Sequence, residues 1–85
     1  EIVQNKNEAL KTALAYARLI TTASPDSVVV AKLGAGWALD APRHEAHSKL
    51  MNSKELRIAA SGENAAEGIK SFNERRPPRW QNSKL

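Results

Sequence analysis

The stretch EGIKSFNERRPPRW at positions 67–80 alternates positively charged and aromatic side chains. A guanidinium or ammonium group can hold a phosphate while a neighbouring ring stacks on a base, so this pattern is typical of nucleic-acid sites and of sites for adenine cofactors. The alternative is a solvated helix end, where cations meet the C-terminal dipole, and charge alone favours that alternative. The side chains concerned are Lys70, Phe72, Arg75, Arg76, Arg79 and Trp80.

Two histidines, His44 and His47, invite comparison with zinc-binding helices. The zinc-protease motif places its histidines four residues apart so that both imidazoles reach one metal, whereas these stand three apart and no third ligand is evident. We therefore expect exposed helix histidines and no metal site. The chain also lacks a GxSxG motif, a phosphate-binding P-loop and any cysteine nucleophile, so we assign no catalytic residue.

The sequence ends in Ser83-Lys84-Leu85, a tripeptide that peroxisomal import receptors read together with the terminal carboxylate. The same three residues occur at 48–50, within a predicted helix and without a free carboxylate. We predict that the terminal copy is recognised by the import receptor and that the internal copy is inert.

Length and composition limit the possible functions. The 85 residues carry a net charge of +4 with a pI near 9.8, which favours anionic partners without identifying them. The chain has no cysteine, so a disulfide framework and a thiolate metal site are excluded, and no apolar run has the length of a membrane span. Because the sequence begins at Glu1 and its single methionine is Met51, we expect it to be a piece of a longer protein.

The spacing of the apolar residues predicts an all-α fold of about four helices that position these side chains. Ser24 and Pro25 give a start signal for the second helix, although the run Val28-Val29-Val30 favours a strand. Gly34-Ala35-Gly36 within it indicates close helix packing. We divide the chain into a helical domain at 1–76 and a basic tail at 77–85. The predicted helices cover residues 7–23, a stretch from 25 onward, about 42–62, and 63 to the prolines at 77 and 78.

From Ala9 to Trp80 the order of these segments resembles the C-terminal helical region of the enoyl-CoA hydratase/isomerase family, the crotonases. An alanine-rich helix ends in a serine-proline pair (ALAYARLITTASP), a helix with Lys32 and a longer helix follow, and the region closes in GENAAEGIKSFNERRPPRW. Asn64 departs from the aspartate, and Asn73 from the apolar residue, that are more usual in the family. The closing stretch matches the family at Glu67-Gly68, Phe72, Arg76 and Pro78-Arg79-Trp80.

The resemblance implies the last part of an acyl-CoA enzyme, an enoyl-CoA hydratase (a lyase) or isomerase of fatty-acid oxidation. Its substrate would be a coenzyme A thioester, with no covalently bound cofactor. The family's catalytic groups lie in a preceding core, so none is assigned within residues 1–85. The resemblance also implies that the helical region would cap the active site and build a trimer or hexamer. Carried over, Phe72 would pack beside the adenine of CoA, and Arg75, where lysine is more usual, would meet its phosphates.

A crotonase-like chain that ends in Ser-Lys-Leu is consistent with a peroxisomal enzyme, with mitochondria or cytoplasm as alternatives. The alternative function is a small basic helical module that binds nucleic acid or a protein partner through Arg75, Arg76 and Arg79. We expect no DNA binding, because the charge is modest for a nucleic-acid binder. RRPPRW also lacks the spaced prolines of a usual ligand for a proline-recognising partner domain.

Overall fold

The computed structural model describes residues 2–85, which fold into five α-helices without a β-strand. The predicted all-α class is confirmed, and the number of helices is close to the four expected. Helix α2 packs against α3 and α4, and α4 packs against α5. The helices are α1 (Lys6–Ile20), α2 (Pro25–Asp40), α3 (Arg43–Met51), α4 (Lys54–Ser61) and α5 (Glu63–Asn73).

The start of α2 follows its sequence signals. Pro25 occupies the first turn with Asp26 beside it, and the three valines at 28–30 continue the helix. Each β-branched residue costs a helix only a few tenths of a kcal/mol, and their half-buried side chains regain that by packing. Gly34 brings α2 close to α3, since a Cβ at that position would lie 3.0 Å from Leu50 Cδ2. Close packing is therefore confirmed at Gly34.

The predicted long helix over 42–62 is interrupted, and this is where the structure differs from the sequence-based expectation. The Asn52 side-chain amide donates to the Ser48 carbonyl at 2.8 Å, and the Ser53 hydroxyl accepts from the Leu56 N–H at 3.2 Å as the N-cap of α4. The Asn52 side chain adds a second donor to the Ser48 carbonyl, which also accepts the Asn52 N–H at 3.0 Å, and the Ser53 hydroxyl takes the place of a backbone acceptor. These contacts end α3 and begin α4 without a proline or glycine. The internal tripeptide at 48–50 lies in α3, as expected.

The five helices do not close a core of their own. A self-contained domain of this length has a radius of gyration of about 12 Å and a surface of about 5,000 Å², whereas here the values are 16.0 Å and 7128 Å². Among residues 2–85, Ala46 is the one buried apolar side chain, and no residue of α1 is buried. The large exposed apolar side chains are Ile2, Leu10, Leu14, Tyr16, Leu19, Ile20, Leu39, Met51, Ile58, Ile69 and Phe72.

Within the described part of the chain, none of the helices combines the length and the apolar character needed to cross a membrane.

Candidate functional site

Helix α5 ends in a turn that places a cation in an unusual backbone conformation. The Arg76 N–H donates to the Ser71 carbonyl at 3.1 Å, and the Arg75 N–H donates to the Phe72 carbonyl at 3.2 Å. This pair of bonds is the Schellman C-cap, whose central residue adopts the left-handed conformation and is usually glycine. Here Arg75 takes that position, with φ of 53°. The turn therefore joins Arg75 directly to the last turn of α5, which carries Phe72.

A single carboxylate holds the chain that follows this turn. Arg76 donates two hydrogen bonds to Glu67, Nη1 to Oε2 at 2.6 Å and Nη2 to Oε1 at 3.0 Å, and the Arg79 N–H donates to Glu67 Oε2 at 2.7 Å. Arg76 Nε also donates to Glu74. The Glu67 side chain is only 19% exposed. We call Glu67, Arg76 and the Arg79 N–H the Glu67 clamp.

Hydrogen bonding within the clamp shifts the pKa values of both Glu67 and Arg76. Hydrogen bonding from Arg76, with the Arg79 N–H adding to it, lowers the pKa of Glu67 to about 2. The pKa of Arg76 is raised by its hydrogen bonds to Glu67 and then to Glu74. Glu67 is therefore ionised, and the clamp intact, throughout the physiological pH range.

Trp80 anchors the chain beyond the clamp. Its Nε1–H donates to the Thr22 carbonyl at 3.1 Å, at the junction between α1 and α2. Its ring lies beside Gly68 of α5, where a Cβ would stand 3.6 Å from Trp80 Cη2. Because the ring is half-buried and engaged, Trp80 serves as an anchor in this arrangement and is less open to a ligand than Phe72.

Asn64 forms a second, buried anchor. Its side-chain amide donates to Asp26 Oδ2 at 3.2 Å and to the Gln81 carbonyl at 2.9 Å, and its Oδ1 accepts from the Gln81 N–H at 2.8 Å. Asn64 is 3% exposed, and Asp26 Oδ1 is buried without a hydrogen-bond partner among residues 2–85. An aspartate at position 64 would set two carboxylates against each other. The nearby Asp26 thus gives a physical reason for this departure from the family pattern.

Phe72 and Arg75 are the two side chains that the sequence nominated for CoA binding. Phe72 is 83% exposed, although aromatic rings are normally among the most buried groups. Arg75 is exposed, and its side chain forms no ion pair or hydrogen bond within residues 2–85. Within residues 2–85, the structure therefore presents an exposed ring and an unpaired guanidinium next to each other at the end of α5. Their role in binding CoA stays a prediction.

The remaining cations of the stretch separate into two kinds. Arg76 is occupied by carboxylates, whereas Lys70 and the Arg79 side chain are exposed. Arg76 is therefore not available to a ligand in this arrangement. Sequence reasoning treated these cations alike, and it missed the clamp because its partners lie nine and twelve residues apart along the chain.

The tripeptide at 83–85 follows these anchors. Lys84 Nζ lies 3.5 Å from Glu63 Oε1, with side-chain exposures of 77% and 69%, so the pair is open to solvent. The Leu85 N–H donates to the Ser83 hydroxyl at 3.2 Å. Pairs this exposed contribute little to stability, so the last residues are held more weakly than Gln81. Recognition by an import receptor stays a prediction.

The two histidines lie on α3, and both are exposed, as expected. Within residues 2–85, no group of three histidine, cysteine, aspartate or glutamate side chains is arranged to hold a metal ion.

Comparison with known proteins tests the family resemblance that the sequence suggested. No protein-family model matches the chain. Curated relatives include the mevalonyl-coenzyme A hydratase sidH of Aspergillus fumigatus, which is 40% identical over 98% of this chain and 31% of its own length. The mevalonyl-coenzyme A hydratase SIDH of Beauveria bassiana is 35% identical over 99% of this chain and 30% of its own length. The resemblance to the crotonase family is confirmed.

This crotonase-like chain spans about a third of the length of the curated relatives it matches. The family positions recognised in the sequence gain a structural role here. Glu67 and Arg76 form the clamp, Gly68 lies under the Trp80 ring, and the backbone of Arg79 completes the clamp. Lys32, also among the matched residues, is exposed on α2.

Proposed function

We propose that this chain is the C-terminal helical region of an acyl-CoA hydratase. Such an enzyme adds water to a 2-enoyl thioester to give the 3-hydroxyacyl thioester, or removes it in the reverse direction. Similarity over nearly the whole chain to two proteins named mevalonyl-coenzyme A hydratase carries this proposal. The substrate class is a 3-hydroxyacyl thioester of coenzyme A, with mevalonyl-CoA the first to test. The names of these relatives favour a branched hydroxyacyl substrate, whereas the sequence resemblance implied an enzyme of fatty-acid oxidation.

The part of the enzyme that this chain supplies is a binding surface for the nucleotide end of CoA. Phe72 offers an exposed ring for the adenine, and Arg75 offers an unpaired guanidinium for the phosphates. Stacking and charge-assisted hydrogen bonds are the interactions that such a ligand requires. No group within residues 1–85 is assigned to proton transfer, so the catalytic acid and base belong to the remainder of the enzyme.

The same region mediates self-association, in our proposal as a trimer or hexamer. Its surface of 7128 Å² exceeds that of a closed domain of this size by roughly 2,000 Å². Five of the eleven large apolar side chains exposed within residues 2–85 lie on α1, and apolar surfaces of this extent are covered in stable proteins. A monomer of the full-length protein in light scattering at micromolar concentration would contradict this assignment.

We also propose peroxisomal localisation through Ser83-Lys84-Leu85, which requires the tripeptide to be the C-terminus of the mature protein. The weak hold on Lys84 supports it, because a receptor must be able to take up these residues. A fluorescent reporter fused to residues 76–85 should enter peroxisomes, and a reporter ending in Ser-Lys-Glu should not. A cytosolic distribution of the first reporter would contradict the proposal.

The activity is tested on the full-length protein that contains this chain. Incubated with mevalonyl-CoA, it should form the conjugated enoyl thioester, detected by ultraviolet absorbance and by a mass loss of one water. The matched control is an acyl-CoA that lacks the 3-hydroxyl group, which has no water to lose. Absence of product from mevalonyl-CoA and from simple 3-hydroxyacyl-CoA substrates would refute the hydratase assignment.

A further inference from the structure

The Glu67 clamp lies next to the proposed CoA surface but presents no free charge of its own. We propose that Glu67 is a positioning residue, which holds the turn after α5 so that Arg75 meets the phosphates of CoA. The inference rests on the proposed function of Phe72 and Arg75 as the CoA surface. It assigns a role in that function to a residue that does not touch the ligand.

The first argument is geometric. Glu67 accepts hydrogen bonds from residues on both sides of Pro77 and Pro78, from the Arg76 guanidinium at 2.6 and 3.0 Å and from the Arg79 N–H at 2.7 Å. The two proline rings fix the φ angles between these attachment points. A short loop with both ends tied and two torsions fixed has little freedom, so the residue just before it, Arg75, is held in place.

The second argument is conformational. Arg75 adopts φ of 53°, a region that residues other than glycine rarely occupy, so the turn has a tendency to relax. The clamp binds the very next residue, Arg76, and opposes that relaxation. Residues held in uncommon backbone conformations tend to mark functional sites, and here the residue so held is a cation without an acidic partner among residues 2–85.

The third argument concerns charge. Glu67 and Glu74 both bind Arg76, so these two carboxylates are directed at one cation and leave Arg75 without an acidic partner among the described residues. Loss of the clamp would free Glu67 and Arg76 to form other contacts. The arrangement therefore provides both the position of Arg75 and its availability to an anion.

The test uses the full-length protein and CoA itself as the probe, with affinity measured by calorimetry. Removal of an acidic charge near a phosphate site should, by electrostatics alone, tighten CoA binding. Positioning predicts the opposite for Glu67→Gln, a weakening on the order of tenfold, because small misplacements of a binding group are costly. The value of kcat at saturating substrate should change less than twofold, so that the effect appears in KM.

Glu63→Gln is the matched control, because it removes the same charge from the same helix at an exposed residue whose one ion pair within residues 2–85 is with Lys84. It should leave the CoA dissociation constant within twofold. If Glu67→Gln fails to fold, as judged by circular dichroism, Arg76→Lys replaces it. That variant keeps the charge but loses the two-pronged hydrogen bond, and it should weaken CoA binding about threefold to tenfold.

Together these variants test the CoA surface and the positioning role of Glu67 separately. If Arg75→Glu weakens CoA binding but the clamp variant used, Glu67→Gln or its replacement Arg76→Lys, does not, the positioning role of Glu67 is refuted and the CoA surface stands. Unchanged or tighter binding by Glu67→Gln likewise overturns it. If Arg75→Glu itself has no effect, the CoA surface is wrong and the positioning role falls with it.

Discussion

Replacement of Arg75 by glycine should make the protein more stable and at the same time weaken its binding of CoA. In the left-handed conformation a residue with a Cβ costs about 1–2 kcal/mol, a cost that glycine avoids. Glycine loses roughly 0.5–1 kcal/mol more backbone entropy on folding. Arg75 has φ of 53°, so glycine at this position would relieve the cost of the Cβ and add the smaller entropy cost. Arg75→Gly should therefore raise the free energy of unfolding by about 0.5–1 kcal/mol.

The effect on binding has the opposite sign. A hydrogen bond to a charged group contributes about 1.5–3 kcal/mol, and at an exposed residue we take the lower value. Loss of the guanidinium should therefore raise the CoA dissociation constant about tenfold. Arg75→Ala is the matched control, because it removes the same charge but keeps a Cβ. It should lose affinity to the same extent without gaining stability.

Thermal unfolding and calorimetric titration of the full-length variants check both halves of this prediction. For a full-length protein as long as the curated relatives, about three times this chain, we expect Arg75→Gly to raise the Tm by about 1–2 °C without ligand. Stabilisation with unchanged CoA affinity would show that Arg75 serves the turn alone. Destabilisation would refute the left-handed turn itself, and equal stability of the glycine and alanine variants would refute the conformational argument.

Three further predictions concern the anchors and the helix break. Asn64→Asp should lower the free energy of unfolding by about 1–3 kcal/mol at pH 7, because a carboxylate would face Asp26 and the amide donor would be lost. Urea unfolding should show a smaller loss of stability at pH 4 than at pH 7. Equal losses at the two pH values would contradict the charge argument. The Glu67 carboxyl, followed by carbon NMR, should titrate near pH 2, and its pKa should rise towards the ordinary value in Arg76→Gln, where the Arg79 N–H remains as a donor. A midpoint near 4.5 in the wild type would contradict the clamp. Ser53→Ala should cost about 1 kcal/mol through loss of the α4 N-cap, and no change in urea unfolding would contradict that capping role.

The pH dependence of the clamp follows from the direction of the Glu67 shift. A carboxyl with a lowered pKa in the folded state stabilises the protein above its unfolded value and loses that contribution as pH falls. With a folded pKa of about 2 against an ordinary 4.5, the contribution is complete at neutral pH and is lost between about 4.5 and 2. Titration of Glu67 should therefore make no contribution to the pH dependence of CoA binding between pH 6 and 8.

Much of the helical layout could be predicted from local signals. Pro25 marks the start of α2, the sequence around Gly62 separates α4 from α5, and Pro77 and Pro78 follow the end of α5. These residues act through their own backbone, so the sequence alone reveals their effect. The break at Asn52 was missed because side-chain capping competes with a helix that would otherwise continue through residues with adequate propensity.

The candidate site was less predictable, because it depends on contacts between distant residues. The exposed Phe72 and Arg75 were named through the family resemblance, which supplies order and spacing. The sequence does not reveal that Arg76 is engaged and that Arg75 has no partner among residues 2–85, since the main partner of Arg76, Glu67, lies nine residues away. The left-handed backbone of Arg75 was equally hidden, because arginine gives no signal for it.

The most direct test of the account is the affinity of the full-length protein for CoA in the wild type and in Arg75→Glu, measured by calorimetry at one ionic strength. The account predicts at least tenfold weaker binding by the variant, since an attractive charge becomes a repulsive one at the phosphates. An unchanged dissociation constant in a folded variant would contradict the claim that this turn holds CoA.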